Sequence, residues 1–212
     1  MLLVDYTIKG FADLLASDAP APGGGSTAAL EGALGASLAR MVGALTVGRK
    51  KYAEHADFAD DLTAKTERIR TDFLAVIDED TLAFNQVSAV FEMPKDTDEQ
   101  KAARKEAMQS ALKSCVLPPF KMMQLSLEAI ELTAQAVGKT NASAASDLGV
   151  AALSLKAAVQ GAWLNILINI GGLSDTGFAD EYRQKGEGIL SKALPLADEV
   201  YNAILGDLIS QA

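Results

Sequence analysis

The sequence holds one cysteine, Cys115, and one histidine, His55. A lone cysteine forms no internal disulfide and no zinc site built on paired thiolates. At helical spacing it is expected to be a small buried hydrophobe. A lone histidine gives little ground for a His-rich metal site or a Ser-His-Asp triad, and His55 is expected at the surface. Aromatics make up only 6% of the chain. Strands favour aromatic and β-branched residues, so this scarcity, with abundant alanine, points to packed helices. Basic residues are also in deficit: 19 Lys and Arg against 28 Asp and Glu, for a net charge of −9. That argues against a nucleic-acid partner and against a polybasic membrane surface. Met1 to Asp5 has an early acid and no basic stretch, so no signal peptide is expected. The most apolar stretch, 157–173, is about 17 residues and carries Gln160, Asn165 and Asn169; a membrane span needs about 20 with fewer polar interruptions. It is expected to be a helix buried on most sides, in the core or at a subunit interface. A cytoplasmic protein with no membrane partner is the expectation.

What is present is helical periodicity in a single domain over residues 1–212. Thr7 can cap a short helix carrying Phe11 and Leu14. Pro20 and Pro22 then stop it. Gly23, Gly24, Gly25 and Ser26 lead into an Ala/Gly-rich helix to about Val47, with Ser26 as the expected N-cap. Its small-residue stripes, Ala28-Gly32-Ala36 and Gly35-Ala39-Gly43, let neighbouring helices approach closely. A long helix is expected from about Asp57 to Phe91. Another runs from Asp96 or Thr97 to about Val137, broken or kinked at Pro118-Pro119. Two more cover about 142–170 and 176–208. The fold class is all-α, a bundle of about six helices.

Several segments together carry a resemblance. They are Ala19-Pro20-Ala21-Pro22-Gly23-Gly24-Gly25-Ser26, Lys50-Lys51-Tyr52, Asp80-Thr81-Leu82-Ala83-Phe84-Asn85 and Met93-Pro94-Lys95. Asn141, Ser146-Asp147 and Asn165 to Asn169 complete the set. The chain resembles the cyclodeaminase/cyclohydrolase family over about Phe11 to Leu208. That family joins bacterial methenyltetrahydrofolate cyclohydrolase with the C-terminal domain of formiminotransferase-cyclodeaminase. Glu31 stands where a small residue is expected, and Thr27 where valine is frequent. The resemblance implies a helical homodimer with a folate cleft beside the glycines. It implies a tetrahydrofolate derivative as substrate, no tightly bound cofactor and no metal. Two reactions are implied as alternatives: hydrolysis of 5,10-methenyltetrahydrofolate, or expulsion of ammonia from 5-formiminotetrahydrofolate.

Both reactions are proton-transfer jobs suited to a carboxylate or lysine of tuned pKa. Asp80 is the first candidate, in a mid-helix position beside Val76, Ile77, Ala83 and Phe84; the alternative is a solvated acid in the run Asp78-Glu79-Asp80. Lys50 is the second candidate. Pro22, Gly23, Gly24, Gly25 and Ser26 form either a ligand-facing wall or a tight turn. Lys51 attracts the glutamate tail of a folate, or its cluster with Arg49 and Lys50 merely suits a helix C-terminus. Asn141, Ser146, Asp147, Asn165 and Asn169 line the cleft, or else the acid serves a helix dipole and the amides a facing helix. Trp163 is expected in the core or at an interface. The rival outside enzymology is a helical scaffold that dimerises through its small-residue stripes.

Overall fold

The computed structural model describes residues 1–211, which contain six α-helices and no strand. They are α1 (Ile8–Leu15), α2 (Gly24–Ala44), α3 (Ala56–Phe91), α4 (Asp98–Ala136), α5 (Ala145–Gly171) and α6 (Thr176–Gln211). Thr7 caps α1, its hydroxyl accepting from the Gly10 N–H at 3.0 Å. Thr97 and Gln100 form a capping box at the start of α4. Gly48 and Gly138 adopt left-handed φ of 72° and 75° in the turns after α2 and α4, where other residues are strained.

The small-residue stripes of α2 do bring neighbours close. A Cβ on Gly32 would collide with the Phe73 ring of α3, and one on Gly35 would lie 2.7 Å from Leu155 of α5. So α2 is gripped between α3 and α5, with α4 also in contact. The contacts Gly24–Asn165, Ala28–Gly161 and Gly35–Leu155 show that α2 and α5 run antiparallel. Phe73, Leu62 and Ile69 from α3, Met122, Met123 and Ile130 from α4, and Leu148, Leu155 and Ile166 from α5 fill the core.

Three expectations need correction. Ser26 is not the N-cap; the cap is Gly23, three residues earlier, and Ser26 is buried inside the first turn. Arg49 to Lys51 do not end α2, which stops at Ala44; the cations lie beyond a turn, Lys50 and Lys51 in a short 3-10 segment, Lys50–His55. Pro118 and Pro119 do not break α4, which runs through them to Ala136. One of the two carbonyls the prolines leave without a helical donor is served from another helix, as described below.

By length and composition alone, Ala142–Gly171 could cross a membrane, with a hydropathy of 1.4. In this fold α5 packs against α2, α4 and α6. Its remaining side is exposed and mostly apolar, with Val150, Leu153, Leu164 and Ile168 outward. Trp163 is half-buried between α5 and α6, its ring packed where only Gly186 leaves room.

Candidate active site

A cavity of about 330 Å³ opens where the first turn of α2 meets α3, α4 and α5. Gly23, Gly24 and Gly25 form one wall, Asp80, Thr81 and Phe84 a second, Leu112 and Cys115 a third, and Asn165, Ile168 and Asn169 the last. The helical period explains the second wall. Asp80 and Phe84 are one turn apart on α3, so both face the same way.

Asp80 lies against the first turn of α2. The Ser26 hydroxyl donates to its Oδ2 at 3.1 Å, and the Ser26 hydroxyl and the Thr81 hydroxyl are 3.3 Å apart. A Cβ on Gly25 would overlap the Asp80 carboxylate. Glycine is therefore what allows the acid to seat on the helix N-terminus. Burial pushes the carboxyl above its ordinary value, against the lowering pull of the bonds from Ser26. The outcome is a carboxylate drawn toward the pKa range a general base or acid needs near neutral pH.

Cys115 faces the same space. Burial, and then the nearby Asp80 charge, raise its thiol to about 11. It is a poor nucleophile there at neutral pH. Asn165 donates to the Gly161 carbonyl at 2.8 Å and Asn169 to the Cys115 carbonyl at 2.9 Å. Their amide nitrogens are thus used by the protein, and their oxygens accept no bond among the described residues.

The sequence candidates fall into two groups. Gly23, Gly24, Gly25, Asp80, Asn165 and Asn169 share the cavity, with Ser26 and the buried Pro22 directly behind it. Lys50, Lys51, Asn141, Ser146 and Asp147 lie at the other end of the bundle. The 21 residues of α2, at about 1.5 Å each, put roughly 30 Å between the groups within one chain. There, Asn141 ties itself to the end of α2: its backbone N–H donates to the Thr46 hydroxyl at 2.9 Å and its side chain to the Leu45 carbonyl at 3.3 Å. Lys51 borders a separate cavity of about 280 Å³ with Tyr52, whose hydroxyl accepts from the Ala142 N–H at 2.9 Å. Ser146 is exposed and Asp147 half-buried in the first turn of α5. Among the described residues Arg49, Lys50 and Lys51 form no ion pair.

Sequence reasoning missed Thr81, Phe84, Leu112, Cys115 and Ile168. Two signals were available. Phe84 follows from the same helical face once Asp80 is chosen. Cys115 precedes Pro119 by four residues, which marks a carbonyl in need of a partner.

These features define a class: an all-helical protein whose glycine-lined cleft encloses a single desolvated carboxylate, equipped for acid–base chemistry. The chain belongs to the formiminotransferase-cyclodeaminase family, whose profile matches residues 7–188. It is 40% identical over 198 residues to a methenyltetrahydrofolate cyclohydrolase of Methylorubrum extorquens, covering 93% of this chain and 95% of that one. It is 32% identical over 206 residues to the formimidoyltransferase-cyclodeaminase of Mus musculus, covering 97% of this chain but 37% of that longer one. The fold matches a formiminotetrahydrofolate cyclodeaminase of Thermotoga maritima with a TM-score of 0.86 at 24% identity, over 96% of this chain and 98% of that one.

Proposed function

We propose that this chain is a methenyltetrahydrofolate cyclohydrolase, with Asp80 as its proton-transfer group. The observation that carries the reading is the desolvated Asp80 carboxylate, held by Ser26 on the first turn of α2. The methenyl carbon is an amidinium-like electrophile. A water attacks it while Asp80 takes the proton. The tetrahedral carbon then collapses: its bond to N5 breaks as Asp80 returns the proton to N5, and the hydroxyl on that carbon gives up its own proton to solvent, leaving the formyl group on N10. One group in one place serves both steps when its pKa lies near the working pH. Nothing in the scheme calls for a resident cofactor.

The full-length match to a cyclohydrolase favours hydrolysis. Cyclodeamination uses the same proton transfers and remains the second reading, since relatives so named match as well. A scaffold without activity would need no such carboxylate.

We further propose one domain, cytoplasmic, acting as a homodimer. The shared core of α2 to α6 supports the single domain. The outward row of α5, with Ser146, Val150, Leu153, Leu164 and Ile168 exposed and Ala157 half-buried at its middle, supports the dimer. A two-fold axis near Ala157, the midpoint of that row, sets Ile168 of one chain beside the partner subunit's Ser146. Such pairing turns the Lys50 and Asn141 end of one subunit toward the cleft of the other, which would give those residues a role that one chain alone does not.

The test is absorbance at the methenyl band, together with solution mass. Loss of the band faster than in buffer supports hydrolysis. Growth of the band from 5-formiminotetrahydrofolate makes the chain a cyclodeaminase. No change with either folate removes both.

A further inference from the structure

Thr81 departs from a pattern that the other threonines of its helix keep. Thr63, Thr66 and Thr71 of α3 each turn the hydroxyl back onto the carbonyl four residues earlier, at 2.8, 2.6 and 2.9 Å. Thr133 of α4 does the same at 2.7 Å. The corresponding carbonyl for Thr81 is that of Ile77, and it is the Ser26 hydroxyl that approaches that oxygen, at 3.5 Å. The Thr81 hydroxyl is turned instead toward Ser26, at 3.3 Å, and Thr81 borders the cleft.

The far end of this row fixes its direction. A carboxylate only accepts, so the Ser26 proton belongs to the 3.1 Å bond to Asp80 Oδ2. Ser26 has no second proton to give, and the Thr81 hydroxyl is therefore the donor of its pair. Two hydroxyls thus donate in sequence toward Asp80, and the row opens to the cleft at Thr81.

Hydrolysis has a use for such a row. Attack of water on the methenyl carbon puts two protons in play. Asp80 takes the first, and the second stays on the hydroxyl of the tetrahedral carbon. When the bond to N5 breaks, Asp80 must give a proton at the stage where that hydroxyl loses one. Other acceptors are scarce. Asp80 and Cys115 are the titratable groups among the described residues lining the cleft, and the Cys115 thiol, raised by burial to about 11, stays protonated near neutral pH. The acids beside Asp80 are engaged elsewhere: Asp78 accepts from the Leu3 N–H at 2.6 Å, and Glu79 pairs with Lys121 at 3.1 Å.

We propose, on the basis of the hydrolytic reading above, that Thr81 is a second proton-transfer residue, which takes the hydroxyl proton of the tetrahedral carbon and relays it through Ser26 to Oδ2 of Asp80. As the bond to N5 breaks, its electron pair takes the proton that Asp80 holds on its other oxygen. The hydroxyl gives its proton to Thr81 Oγ1, Thr81 gives its own to Ser26 Oγ, and Ser26 gives its own to Oδ2, while the electron pair of the broken O–H bond forms the formyl C=O. Each side-chain hydroxyl ends with one proton, as it began. Asp80 ends protonated and passes that proton to solvent, so the cation and water give a formyl group, an N5–H and one proton. Cyclodeamination makes no such demand. Its tetrahedral carbon bears an amino group and no hydroxyl, and Asp80 alone can carry the proton from N10 to the departing nitrogen.

The test is single-turnover hydrolysis of methenyltetrahydrofolate in mixtures of light and heavy water, on the wild type, Thr81→Val, Thr81→Ser and Ser26→Ala, with helicity checked by circular dichroism. In the wild type the rate is expected to fall along a curve as the deuterium fraction rises, because more than one proton moves together. Thr81→Val, which keeps the shape and removes the hydroxyl, should be slower by roughly a hundredfold, the lower end of what a positioned proton transfer contributes, with a straight dependence. Thr81→Ser should regain both rate and curve. Ser26→Ala cuts the row in its middle and should match Thr81→Val, which keeps the proposal testable if the valine variant does not fold. It also removes a bond that holds the Asp80 carboxyl down, so the acid limb of its rate profile should move to higher pH. Wild-type rate and curvature in Thr81→Val overturn the relay and leave hydrolysis standing. So does a straight dependence in the wild type, or a slow Thr81→Val that keeps the full curve, since the hydroxyl would then only shape the cleft. A wild type that converts no methenyltetrahydrofolate overturns hydrolysis itself, and the relay with it.

Discussion

The side-chain amide of Asn169 donates at 2.9 Å to the carbonyl of Cys115, the carbonyl that Pro119 deprives of its helical donor. In an uninterrupted helix the N–H of residue 119 would bond to that oxygen, and proline has none. A side chain of α5 thus completes a hydrogen bond of α4, at the wall of the cleft. Asn169→Ala should cost about 1–3 kcal/mol, the penalty for leaving a buried acceptor unpaired. Urea unfolding measures it. The same substitution in a Pro119→Ala background should cost less, because the backbone donor is restored. Equal costs in both backgrounds would disprove the coupling.

Asp80→Asn should fold and lose activity by about 10²- to 10⁴-fold, the usual worth of a positioned proton-transfer group. Wild-type turnover in the variant removes Asp80 from the mechanism. The same substitution has a stability signature. The folded-state pKa of Asp80 is raised by burial. Below the unfolded-state value the carboxyl is neutral in both states and carries no penalty. As pH rises through the folded-state value, ionisation in the buried site disfavours the native state. Relative to the wild type, Asp80→Asn should therefore gain stability as pH increases, with the difference vanishing in acid. Denaturant midpoints across pH test the sign.

Gly25→Ala tests why the cleft needs glycine. Alanine is the better helix former by about 1 kcal/mol, so propensity alone predicts stabilisation. The added Cβ would overlap the Asp80 carboxylate. The acid must move, and activity should fall at least tenfold while the far-UV spectrum is unchanged. Gly23→Ala is the control, since a Cβ there meets nothing within 4 Å. Similar activity in the two variants would show that this contact is not what fixes the carboxylate.

The helices were legible in the sequence because each rests on local signals: Thr7 and Thr97 as caps, prolines between elements, and apolar residues at helical spacing. The small stripes of α2 correctly announced close packing against α3 and α5. Three features were not legible, and each depends on a partner distant in sequence. Ser26 looked like an N-cap because its type fits; it sits inside the helix because Asp80, 54 residues on, takes its hydroxyl. Pro118-Pro119 read as a break or a kink; the helix does not break there, and the donor that serves the Cys115 carbonyl is on another helix. Lys50, Asn141 and Asp147 shared motifs with Asp80, but proximity in a motif pattern does not state which end of a roughly 30 Å helix each occupies.

Cys115 read as a buried hydrophobe, and it is buried at 7% exposure, yet it also faces the cleft. That combination makes it a reporter. With its thiol at about 11, only about 0.1% is thiolate at pH 8, and the reactive fraction rises tenfold per pH unit. Alkylation by iodoacetamide should therefore be slow at pH 8 and accelerate steeply up to about pH 11. Burial is the larger cause and the Asp80 charge the smaller. Asp80→Asn should consequently speed alkylation modestly at a fixed pH, without making the thiol ordinary. Because the sulfur lines the cavity, its modification should abolish activity in step with the label incorporated. Mass spectrometry of the labelled chain against residual turnover decides the matter: full labelling with full activity would place the chemistry somewhere other than this cleft.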